Sequence, residues 1–161
     1  MNECKLSENN WTRVAVFAGG DRGHYRTDFD CFVGVDRGSL WVLEEDLPLT
    51  LAIGDFDSVT ADERQLIQKR AQHFVQAQPE KDDTDLELAL LTIFEQNPQA
   101  QVTIFGALGG RIDHMLANVF LPSNPKLAPY MRQIAIEDGQ NLIAYCPEGT
   151  SQLEPRSDYD Y

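Results

Sequence analysis

The sequence predicts an α/β protein built on a mostly parallel, doubly wound sheet. Three observations carry that prediction. Short apolar runs stop at glycine or aspartate, stretches with helical periodicity lie between them, and two of those stretches open on a Thr-x-x-Glu capping box. Strands buried on both faces read as unbroken apolar runs. Strand–helix alternation brings such strands side by side in parallel with helices on both faces.

Taken in order, residues 1–10 are polar and expected to be loose. Arg13 to Ala18 reads as a buried strand ended by Gly19-Gly20, and residues 21–30 as a loop. Cys31 to Val35 is a second strand, stopped at Asp36-Arg37-Gly38, with a short helix expected over 39–45. Leu49 to Ile53 is a third strand, ending at Gly54. Thr60-Ala-Asp-Glu63 caps a helix running to about His73, and Phe74-Val75 gives a short strand. Thr84-Asp-Leu-Glu87 caps a helix with Leu86, Leu90, Ile93 and Phe94 on one face. Val102 to Phe105 is a strand, and the glycine-rich turn at 106–110 leads into a helix whose apolar side holds Ile112, Leu116, Val119 and Phe120. Pro122, Pro125 and Pro129 mark a linker. Two alternating runs separated by Asp138-Gly139 then read as a hairpin, the start of a smaller all-β part.

Across 161 residues, 26 acidic side chains against 13 basic ones leave a formal net charge of −13, which argues against nucleic acid or an anionic membrane as partner. Cys4, Cys31 and Cys146 have no metal-ligand spacing, and an odd count suits no disulfide framework. No apolar run of membrane-spanning length and no leader pattern is visible, so the expected location is cytoplasmic. Trp11 and Trp41 read as packing residues, and His24 and His73 sit in no motif.

Three motifs carry chemistry. In Ile53-Gly54-Asp55-Phe56-Asp57-Ser58, two carboxylates spaced i, i+2 just past a strand end can turn to one side, where a hard cation bridges them. Alone, the same residues would also make an ordinary capped turn. Lys81-Asp82-Asp83-Thr84-Asp85 sets a cation and three carboxylates at a helix start; crowded carboxylates repel unless a cation neutralises them, although a well-capped surface helix has the same look. In Gly106-Ala-Leu-Gly109-Gly110-Arg111-Ile-Asp113-His114, the glycines let backbone N–H groups approach a phosphate at a helix start, and Arg111 adds a fork of donors. It is neither a Walker A loop nor G-x-G-x-x-G. All three motifs lie past the C-terminal ends of predicted strands, the edge where open α/β sheets bind ligands.

In this order and at these spacings, the three motifs resemble those of the thiamine pyrophosphokinase family. Gly34-Val35-Asp36-Arg37-Gly38 is similar to the family's Ala-Asp-Gly-Gly element, with arginine where many members have glycine. The resemblance implies a Rossmann-like α/β ATP-binding catalytic domain (1–121), a linker (122–130) and the start of a thiamine-binding β-sandwich (131–161). That sandwich is expected to be incomplete here, because family members continue further. It also implies a homodimer with the active site near the subunit interface, and transfer of a diphosphoryl group from ATP to the hydroxyl of thiamine, yielding AMP.

Under the same resemblance, Mg²⁺ is expected on Asp55, Asp57 and Asp85. The catalytic set is Asp55, Asp57, Asp85 and Asp113, with Asp113 the expected proton acceptor. ATP is expected to contact Gly19, Gly20, Asp36, Lys81, Asp82, Thr84, Gly109, Gly110 and Arg111. Two other classes compete: another Mg²⁺-dependent phosphotransferase or phosphatase using Asp-x-Asp, and a nucleotide sensor without catalysis. A phosphatase with an aspartyl nucleophile would want its Asp-x-Asp after the first strand, where this chain has Gly19-Gly20.

Overall fold

The fold is described by a computed structural model covering residues 12–78 and 82–152. Strand β1 (Arg13–Phe17) is followed by β2 (Cys31–Val35), helix α1 (Gly38–Glu44), β3 (Leu49–Gly54), α2 (Ala61–Arg70) and β4 (His73–Gln76). Then come α3 (Asp85–Gln96), β5 (Gln101–Phe105), α4 (Ile112–Val119), β6 (Ile134–Glu137) and β7 (Leu142–Ala144). The strands form one seven-stranded sheet in the order β4-β3-β2-β1-β5-β6-β7, parallel except for the antiparallel β6–β7 pair.

Alternate residues of each strand feed two cores. Val14, Val16, Val33, Leu51 and Ile104 pack beneath Leu86, Ala89, Leu90, Ile93 and Phe94 of α3. Ala15, Phe17, Phe32, Ala52 and Phe105 face Leu40, Trp41 and Val42 of α1 and Ile67 of α2 on the other side. Each large side chain so buried contributes roughly 1.5–3 kcal/mol. Both predicted capping boxes form reciprocally, at Thr60–Glu63 and at Thr84–Glu87. The chain runs outward from β1 to β4, then returns through α3 to lay β5 on the other side of β1. The strand order therefore reverses between β1 and β5.

Residues 122–130, expected as a linker, lie in two 3-10 turns, Leu121–Ser123 and Ala128–Gln133, and the segment 124–127 between them. Leu121 and Leu127 are buried, and Tyr130 stacks on Phe94 with ring centroids 4.2 Å apart. The hairpin at Asp138-Gly139 forms, but β6, expected to open a separate all-β part, is a parallel strand of the main sheet beside β5. Its alternating pattern fits because Ile134 and Ile136 enter the α3-side core. A second sheet packed as a sandwich is not present among the described residues.

The apolar stripe of α4 is also not where an amphipathic helix normally puts it. Ile112, Leu116 and Phe120 are 69%, 46% and 63% exposed, and no residue of α4 is buried. At the end of β6, Glu137 is 1% exposed, and its carboxylate accepts from Arg26 Nε at 2.9 Å and Nη2 at 3.1 Å. Losing one partner of so buried a pair leaves an uncompensated charge, typically a 3–5 kcal/mol loss. This pair ties the helix-free β1–β2 loop to the sheet.

Candidate functional site

A cleft of about 690 Å³ opens at the C-terminal ends of the strands where their order reverses. Its walls come from the β1 end, the β2–α1 and β3–α2 turns, the start of α3, the glycine turn after β5, and α4. Of the residues expected at the site, Gly19, Gly20, Asp36, Asp55, Asp57 and Asp82 line it, as do Thr84, Asp85, Gly109, Gly110, Arg111 and Asp113. Lys81 lies outside the described residues. His114, Ser58, Met115 and Asn118 line the cleft as well; of these only His114 stood out in the sequence.

Sheet register brings the acids together. Val35 of β2 pairs with Ile53 of β3, and Asp36 N donates to Ile53 O at 3.0 Å, so Asp36 emerges beside the Gly54-Asp55 turn. Gly54, at φ +152°, is needed there: a Cβ would stand 2.0 Å from Asp36 Oδ1. Asp36 itself is left-handed (φ 49°), as is Phe56 (φ 58°), whose N–H donates to Asp36 Oδ1 at 2.9 Å. Left-handed non-glycine residues cost energy and persist only where the surroundings enforce them. Here Phe56 is 3% exposed and stacks on Phe74 at 4.7 Å, pinning the turn between the two acids that flank it. The Asp55 carboxylate accepts from Asp57 N at 3.0 Å.

The acidic centre differs in membership from the expected one. Oxygens of Asp36, Asp55 and Asp85 lie within 4.8 Å of one another. Asp57, expected as the third ligand, is outside that group although it lines the same cleft. Burial, with the charges of Asp85 and Asp55, pushes Asp36 up from 3.8 to about 7. The charge of Asp55 beside it raises Asp57 as well. Sequence reasoning had Asp36 in the cleft but missed it as a member of the acidic group. Three hard oxygen donors this close, with one carboxyl raised by burial and by its acidic neighbours, fit a divalent cation such as Mg²⁺.

Across the cleft, Gly109 (φ +88°) and Gly110 (φ +69°) form a left-handed turn ahead of α4, a conformation that costs a side-chain-bearing residue but not glycine. Asn118 Nδ2 donates to Ala107 O at 2.9 Å and holds the helix to this turn. Arg111 is solvent-exposed and reaches Asp113 through two hydrogen bonds, Nη2 to Oδ2 at 2.7 Å and Nε to Oδ1 at 3.1 Å. That pair holds the Asp113 carboxyl below its ordinary range.

A doubly wound α/β sheet with its cleft at the reversal of strand order belongs to the class of open α/β proteins that bind ligands at the carboxyl edge of the sheet. Residues 23–131 match the model of the thiamin pyrophosphokinase catalytic domain, and the chain belongs to that enzyme family. It is 37% identical over 147 residues to thiamine pyrophosphokinase of Bacillus subtilis (strain 168), covering 88% of this chain and 67% of that protein. A crystal structure of a thiamin pyrophosphokinase family protein from Enterococcus faecalis aligns with a TM-score of 0.82 at 47% identity, over 86% of this chain and 67% of that one. The Geobacillus thermodenitrificans thiamin pyrophosphokinase structure aligns at 0.66 and 37% identity, over 81% and 61%. Yeast thiamin pyrophosphokinase, at 12% identity and a TM-score of 0.59 over 86% and 62%, shares the fold. The chain thus spans about two thirds of the lengths of these relatives.

Proposed function

We propose that the chain transfers a diphosphoryl group from ATP to the hydroxyl of thiamine, giving thiamine diphosphate and AMP. The observation that carries this reading is the meeting, in one cleft, of the Asp36–Asp55–Asp85 oxygens with the Gly109-Gly110-Arg111 turn. The first group suits Mg²⁺, and the second suits the phosphates of ATP. When bound, Mg²⁺ neutralises charge on the transferring group and orients it.

The chain's own residues position the substrates and exclude alternatives. Backbone N–H groups of the 109–110 turn and the start of α4 face phosphate oxygens. Arg111 leaves Asp113 to form a two-pronged contact with phosphate. Asp82, Thr84, Gly19 and Gly20 complete the walls. For the hydroxyl proton, Asp113 is the acceptor, its carboxylate freed when Arg111 turns to phosphate. A phosphatase or sensor explains less: β1 ends in Gly19-Gly20 rather than in Asp-x-Asp, and a sensor has no need of a proton acceptor.

The working form is a cytoplasmic homodimer with the site near the interface. The bare stripe of Ile112, Leu116 and Phe120, beside the cleft, supports a partner surface there. The free thiols of Cys31 and Cys146 agree with a reducing compartment. Among the described residues no helix is long and apolar enough to cross a membrane. Incubation with ATP, Mg²⁺ and thiamine tests the reaction. AMP and thiamine diphosphate in equal amounts are expected, whereas ADP or free phosphate would point to one of the rivals.

A further inference from the structure

Asp83 belongs to the 81–85 motif, yet two of its partners come from residues that do not line the cleft. Its Oδ2 accepts from Lys126 Nζ at 2.7 Å, and its Oδ1 from Asn124 Nδ2 at 3.4 Å. The same Asn124 amide donates to Glu87 Oε1 at 3.0 Å. We propose that Asn124 and Lys126 are positioning residues for the reaction: they grip Asp83 and Glu87 from behind, and so hold Asp85, midway between those two, against Asp36 and Asp55. The proposal rests on the reading of Asp36, Asp55 and Asp85 as the group that holds the metal.

The grip comes from a well-fixed segment. The buried Leu121 and Leu127 sit in the core that also takes Leu86 and Leu90 of α3. Between them, Asn124 precedes Pro125 and has the extended backbone (φ −67°, ψ 120°) that a residue before proline favours. The Asn124 carbonyl accepts from Leu127 N and from Ala128 N, both at 2.9 Å. Its side-chain oxygen accepts from Lys126 N at 3.0 Å, which leaves the side-chain nitrogen to face the two carboxylates.

What is gripped is the start of α3. Glu87 Oε2 accepts from Thr84 N at 2.8 Å, and Thr84 Oγ1 accepts from Glu87 N at 3.2 Å. Asn124 therefore fastens the capping box itself, and with it the first turn that carries Asp85. Lys126 fastens the residue just ahead of that turn. Asp82, Asp83 and Asp85 would repel one another at a single helix start. The Lys126 ammonium offsets the Asp83 charge, so the turn closes with Asp85 inside the acidic centre.

An ion pair with so exposed an ammonium adds little to stability. Its consequence is geometric, because groups that orient a metal ligand govern affinity without touching the metal.

The test titrates Mn²⁺, a hard ion that carboxylates bind as they bind Mg²⁺, into the 161-residue chain and its variants, with free ion counted by electron paramagnetic resonance. Asn124→Ala, which changes no charge, is expected to weaken Mn²⁺ binding about tenfold. Lys126→Met is expected to weaken it several-fold, and Lys126→Arg, which keeps the charge and a donor for Asp83, to remain close to the parent. Melting temperatures of both Lys126 variants should match the parent's. The sign separates positioning from simple charge: removing a positive charge near an acidic centre would by itself tighten a cation. Parent-like affinity in a folded Asn124→Ala, or parent-like or tighter affinity in Lys126→Met, would overturn the proposal. If Asn124→Ala does not fold, Lys126→Met decides by the same criterion. A parent chain that binds no Mn²⁺ would sink the metal reading, and the positioning role with it.

Discussion

Replacing Asp36 by asparagine should change how stability depends on pH, and in a definite direction. Burial, followed by the charges of Asp85 and Asp55, raises the folded-state pKa of Asp36 to about 7, from 3.8. A carboxyl so raised binds its proton more tightly folded than unfolded. Its favourable contribution is therefore complete below about pH 4 and is lost as pH climbs through 7. The gap of about three pH units, at 1.36 kcal/mol each, is on the order of 4 kcal/mol. For a chain of this size that corresponds to roughly 10 °C in melting temperature. Asparagine keeps the acceptor for Phe56 N and tolerates the left-handed backbone at φ 49°. In chelator, the variant should gain on the parent between pH 4.5 and 8, and the parent alone should recover when Mg²⁺ is added at pH 8. Melting curves across that range measure it. A parent–variant difference that stays constant with pH would refute the reasoning, because no proton uptake would then be linked to folding at Asp36.

Other substitutions test the rest of the site. Asp55→Asn should abolish most turnover, a loss of several kcal/mol in transition-state stabilisation, while leaving the melting temperature near that of the parent; normal kcat/KM in a folded sample would remove Asp55 from the metal site. Gly54→Ala places a methyl 2.0 Å from Asp36 Oδ1 and should weaken Mg²⁺ binding at least tenfold by titration, with unchanged affinity counting against the Asp36 assignment. Arg111→Lys should raise the Kd for ATP about tenfold, since an ammonium cannot make the two-pronged contact; if Arg111 serves only its exposed pair with Asp113, the change would leave both stability and ATP binding nearly unchanged.

Much of this architecture was readable from local chemistry. Both Thr-x-x-Glu boxes start helices as expected, and the unbroken apolar runs are the doubly covered strands. What local patterns could not supply was adjacency. Asp36 joins Asp55 because Val35 pairs with Ile53, and that register is a property of the sheet, not of either segment. The alternation of 134–137 suits either a strand of this sheet or the start of another, and only tertiary pairing chose the place beside β5. The stripe on α4 was correctly placed on one helix face, but periodicity says which side is apolar and not what covers it. Three prolines suggested a break, yet proline also fits the first turn of a 3-10 helix, where two of them sit.

Phe56 gives the cleft an unusual dependence on a residue outside it. Its ring is clamped against Phe74 on the edge strand β4, so the orientation of Asp55 and Asp57 is set from behind, by an aromatic contact that touches no ligand. Asp55 is thus pre-aimed toward Asp36 and Asp85, and a cation arriving among those three need not freeze a wandering loop. The same linkage makes grip and fold one property: any change at Phe74 that loosens the sheet edge also lets the acids swing, so affinity for the ion and thermal resilience must drift together.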